Sequence, residues 1–132
     1  MLFFRMTDIR QKCFIDTLEN ATTSVEVALN QIDRLHRYEN IDKKTIEQDL
    51  AKTSYDLEIN LSILAITLRK MSENGYIHLS SYMRTDLNSL IHCYRFNYDG
   101  KIMKAYSQKG EEVISIDPII EFARNIIKQN EA

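Results

Sequence analysis

The feature that most constrains this chain is an unbroken apolar stripe: Phe14, Leu18, Ala21, Val25, Ala28, Ile32 and Leu35, at spacings alternating between four and three. Side chains at that spacing line one face of a long helix, and such a face must be covered by other helices to be stable in water. A second stripe runs through Leu57, Leu61, Leu64, Leu68 and Met71. The chain is therefore read first as a helix-packing protein. With 132 residues, 44% of them apolar, it has the size and content of one domain spanning 1–132 with a real core.

The first helix is expected from about Thr7 to Arg37, with Thr7 or Asp8 supplying an acceptor for the free amides of the first turn. The cations Arg34, His36 and Arg37 suit the negative end of its dipole. The short connection 38–41 predicts that the second helix folds back antiparallel. Asp42 is placed to cap that helix, with Ile41 and Ile46 as a hydrophobic staple, and Gly75 after Asn74 predicts a Schellman ending. A helix of that extent is about 48 Å long. That is long for a domain of this size, and it predicts that part of it projects or meets a second copy.

The second helix carries a further apolar strip at Tyr55, Ile59, Ile63 and Ile66, which predicts cover on two sides. Asn60 and Thr67 sit among these positions, either to fix register or simply to bond the backbone. A third helix is expected to open at Ser80 or Ser81 and to carry Met83, Leu87, Leu90, Ile91 and Tyr94 on one face. The period then changes. Aromatic residues around Asp99-Gly100 and the β-branched run Val113-Ile114 predict a small β-hairpin or meander near residues 94–116, with one short helix over Lys101 to Lys109 as an equal alternative there. A terminal helix follows, with Asp117 as N-cap, Pro118 at its start, and Ile119, Phe122, Ala123, Ile126 and Ile127 as its core face. The expected fold class is mainly α, an antiparallel helical bundle with two long helices, this small β element and a C-terminal helix.

Seventeen Lys and Arg against 19 acidic residues give a net charge of −2, and the pI is near 5.9. Such a balance supplies no global basic field for nucleic acid or an anionic membrane. No stretch reaches the ~18 consecutive apolar residues of a membrane span, and the apolar opening Met1-Leu2-Phe3-Phe4 lacks the basic flank and cleavage site of a signal peptide. Met6 stands directly before the Thr7-Asp8 cap pair, which leaves Met1 and Met6 both open as the first residue. The cysteines, Cys13 and Cys93, lie within apolar helical patterns without CxxC spacing and read as buried free thiols in a reducing cytoplasm.

Chemistry-bearing motifs are sparse. His92-Cys93 is the one adjacent pair of soft donors, and neighbours on a helix point about 100° apart, so they do not close a metal site alone. Ser89, Asn88 and His92 fit a nucleophile template only by force, and no phosphate loop, dinucleotide fingerprint or nucleophile elbow occurs. No catalytic residue, cofactor or metal is therefore assigned, and an enzyme of unrecognised type ranks third among the functions. The most site-like polar group is Arg84, Asn88, His92 and Arg95, spaced four, four and three along the third helix, with Tyr98 beyond. It suits an acidic partner or a phosphate, or it is an ordinary solvated face. The first functional expectation is a non-enzymatic, cytoplasmic protein–protein interaction module: an adaptor, inhibitor or regulatory subunit, homodimeric and binding another protein. The alternative is a nucleic-acid-associated regulator using the basic and aromatic segment 84–106, including Tyr94, Phe96, Lys101, Lys104 and Tyr106.

Overall fold

The computed structural model describes residues 2–37, 42–91, 95–98, 103–106 and 112–130. The chain is mostly helical, as the two stripes require. Its elements in order are α1 (Leu2–Arg37), α2 (Lys43–Glu73), α3 (Ser81–Ile91), β1 (Arg95–Tyr98), β2 (Met103–Tyr106), β3 (Glu112–Ser115) and α4 (Asp117–Gln129). The strands form one antiparallel sheet in the order β1-β2-β3. A register shift falls at Ala105 and Tyr106, where β2 meets β3. The turn expected at Asp99-Gly100 lies outside the described residues.

Both stripes form the core. Leu18, Val25, Ile32, Leu57, Leu61, Leu64, Leu68 and Met71 are buried, together with Leu79, Leu87 and Leu90 around α3 and Ile116, Ile119, Ala123, Ile126 and Ile127 at α4. The long helices pack along one another, α3 lies on α2, and α4 lies on α1. Residues of α1 between 23 and 31 line one open groove with residues of α2 between 53 and 60. Near the other end of α1, the ring of Phe14 meets Tyr76. Arg124 of α4 pairs with Glu26 of α1 and donates to the Thr23 hydroxyl at 3.0 Å, and Gln11 donates to the side-chain oxygen of Asn130 at 3.0 Å.

Helix boundaries differ from the sequence expectations in instructive ways. Helix α1 is already formed at Leu2, so Thr7 and Asp8 lie inside it and do not cap it. Nothing in Leu2 to Met6 breaks a helix, and a polar residue in a helix interior costs only a few tenths of a kcal/mol. Asp42 does stand at the N-cap of α2, but its carboxylate accepts the Thr45 hydroxyl at 3.4 Å and no backbone amide. The Ile41 half of the staple lies outside the described residues. At α4 the cap position belongs to Ile116, whose carbonyl accepts the amides of Ile119 and Ile120, while Asp117 is the first helical residue. Ile116 is fully buried; its side chain anchors the helix start in the core, and Asp117 stays in the first turn, where its charge suits the dipole.

The end of α2 follows the glycine. Gly75 has φ +79°, its amide donates to the Ser72 carbonyl, and the Tyr76 amide donates to the Met71 carbonyl at 2.9 Å. These two bonds make a Schellman motif and satisfy carbonyls that the helix leaves open. Thr67 is buried, but its hydroxyl donates back to the Ile63 carbonyl at 2.7 Å, and the Asn60 amide does the same to Asp56. Neither reaches across a helix interface. Cys13 is exposed, against the expectation of a buried thiol, because it precedes Phe14 and falls off the stripe.

Candidate binding site

Helix α3 is positioned by its cap and by two leucines. The Ser80 hydroxyl accepts the Met83 amide at 3.1 Å and the Ser80 carbonyl accepts that of Arg84 at 2.9 Å, closing the first turn. Buried Leu87 and Leu90 fix which face meets the core. Arg84 and Asn88, one turn apart, are thereby left on the exposed face.

The helix ends at Ile91, so the four-residue spacing holds only through Asn88. His92 lies outside the described residues. Arg95 and Tyr98 are the first and last residues of β1, a strand and not a continuation of the helix face. The reason is local: from Tyr94 onward the sequence is rich in residues that favour strands. Of the five residues singled out in the sequence, the structure thus brings Arg84 and Asn88 together on one helix face.

It also gives them companions that the sequence does not reveal. Arg69, Ser72 and Glu73, from the last turns of α2, line the same concave cavity as Arg84, Asn88 and the buried Leu79. The cavity measures about 220 Å³. The Schellman turn at Gly75 and the segment 76–80 fold α3 back onto α2, and this return brings the two helix faces together. Arg69 and Glu73 are an i,i+4 pair whose closest nitrogen and oxygen are 3.8 Å apart. That exceeds hydrogen-bond length. The Arg84 guanidinium has no ion-pair or hydrogen-bond partner among the described residues.

Asp86, on the neighbouring face of α3, lines a separate open cavity with Ser81, Tyr82 and Thr85. Burial raises its carboxyl above the ordinary value of 3.8. Among the described residues no group of three or more His, Cys, Asp or Glu is placed to hold a metal ion, and no helix is long and apolar enough to cross a membrane.

A second surface lies on α2. Tyr55 is 63% exposed, Ile59 42%, Ile63 39% and Ile66 40%. The expected second cover is therefore absent among the described residues. At about 100° per residue these four positions point roughly 180° away from Leu57, Leu61, Leu64 and Leu68. Helices α1 and α3 lie against the core side of α2 and leave the strip bare.

No known family, curated protein or solved structure matches this chain.

Proposed function

We propose that the chain is a non-enzymatic interaction protein, an adaptor, inhibitor or regulatory subunit, that pairs with a second copy of itself through α2 and binds another protein. The observation that carries this reading is the bare strip Tyr55, Ile59, Ile63 and Ile66, opposite the core face of the same helix. A helix apolar on two faces is normally buried on both, and a contiguous apolar patch on a monomer marks an interaction surface. The strip extends about 16 Å along the helix, enough for the centre of a helix-on-helix contact. In this reading α1 and α2 run antiparallel in a bundle, consistent with Phe14 meeting Tyr76 while residues 23–31 lie beside 53–60. The three short strands serve as a small meander at the edge of that bundle. A cytoplasmic location suits the exposed thiol of Cys13, since accessible free thiols persist where the compartment keeps them reduced.

The test is the mass in solution by light scattering at micromolar concentration. The expected value is twice the 15.5 kDa of one chain, returning to 15.5 kDa in an Ile59→Glu, Ile63→Glu variant of unchanged helicity. A wild-type protein that stays at 15.5 kDa overturns the self-association.

A further inference from the structure

We infer that the cavity between α2 and α3 is a carboxylate-binding pocket that receives an acidic side chain of a partner protein. The residues that line it from two helices carry donors of the right kind: Arg69 and Ser72 on α2, Arg84 and Asn88 on α3. Arginine presents two parallel N–H groups that match the two oxygens of a carboxylate. Arg84 arrives there with no other partner among the described residues. Buried Leu79 also lines the cavity, and apolar lining reduces the local screening of an anion held there.

Charge and size narrow the ligand. Among the described residues, two guanidinium groups against the carboxylate of Glu73 leave one net positive charge on the cavity's lining, which a carboxylate balances and a phosphate dianion exceeds. Glu73 is itself the nearest model for the occupant: it stands 3.8 Å from Arg69 without closing a hydrogen bond, and its side chain is 65% exposed. An incoming carboxylate therefore competes with a weakly held one. The volume of about 220 Å³ falls below the ~300–1,000 Å³ of a pocket that encloses a whole small molecule. It suits one functional group carried on something larger. The assignment rests on the proposed interaction role only in making that larger body a protein.

The experiment is an NMR titration of the ¹⁵N-labelled full chain, following the Nε–H signals of Arg69 and Arg84 and the side-chain amide of Asn88. The probes are N-acetylglutamate amide, N-acetylglycylglycine and inorganic phosphate, each at ionic strength held constant with chloride. Saturable shifts with N-acetylglutamate amide are expected at all three residues. Affinity should rise severalfold in Glu73→Gln, which removes the internal competitor, and vanish in Arg84→Ala, an exposed position whose folding is checked by circular dichroism. Shifts no larger than those from chloride, or an unchanged affinity in Arg84→Ala, overturn the pocket. Saturation at lower concentration by N-acetylglycylglycine or by phosphate overturns the side-chain assignment in favour of a chain terminus or a phosphate group. A monomer that binds the probe refutes only the self-association, and a dimer that ignores it refutes only the pocket.

Discussion

The ring of Phe14, early in α1, lies 5.8 Å from the ring of Tyr76, the residue immediately after the glycine that ends α2, with the planes tilted by 56°. Tilted pairs at that separation place the positive edge of one ring toward the negative face of the other. The contact ties the start of the stripe to the turn that launches α3. A double-mutant cycle of Phe14→Leu and Tyr76→Leu, measured by urea unfolding, should give a coupling of about 0.5–1.5 kcal/mol. Additive effects within error would show that the rings share no more than a surface.

Leu64 is fully buried and Glu47 is exposed. Burying an unpaired carboxylate costs several kcal/mol, comparable with the whole stability of a small domain, whereas surface changes fall within about 0.5 kcal/mol. Leu64→Asp should therefore unfold the protein by circular dichroism at 25 °C, and Glu47→Ala should melt like wild type.

Gly75 separates backbone strain from crowding. A Cβ built there meets no atom within 4 Å, yet φ is +79°. Gly75→Ala should thus cost about 1–2 kcal/mol from the left-handed conformation alone. Gly75→Asn should cost less, because asparagine tolerates that region. Equal losses in the two variants, by denaturant titration, would point to some contact with the added side chain.

Asp86 sets a pH dependence of defined sign. Burial raises its folded-state pKa above the ordinary 3.8, so the fold binds this proton more tightly than the unfolded chain does. Its contribution is most favourable below the ordinary value and is lost as pH rises through the raised one. Relative to Asp86→Asn, wild type should lose stability across that window, and the carboxyl carbon of Asp86 should titrate above 3.8 by NMR. A stability difference that rises with pH would contradict the assignment.

What was legible in the sequence was whatever depends on local spacing. The Phe14 to Leu35 stripe, the leucines of α2 and the core face of α4 each place their residues correctly because a helix repeats its faces every few positions, whatever lies nearby. The same logic placed Tyr55, Ile59, Ile63 and Ile66 on one strip but not the bareness of that strip, which depends on where α1 and α3 settle. Spacing also carried Arg84 and Asn88 and then failed at Arg95, where the helix had already ended. Arg69 and Ser72 gave no signal, since they meet Arg84 only through the reversal at Gly75. Cap positions went astray at Thr7 and Asp117 for a related reason. A residue able to cap does so only if tertiary packing lets the helix begin there, and at α4 the buried Ile116 decides that.

The bond from Arg124 to Glu26 joins residues 98 positions apart, and that separation bears on how the chain comes together. The α1 and α2 helices are neighbours in sequence and need only a short loop to pair, a step that chains rich in local contacts complete quickly. The docking of α4 on α1 must wait until everything between them has been synthesised, and closing so long an intervening chain carries a larger entropic penalty. During translation the side of α1 that awaits α4 is therefore open to solvent, chaperones and neighbouring nascent chains. Protection of that side of α1 thus depends on a segment almost a hundred residues further along the chain.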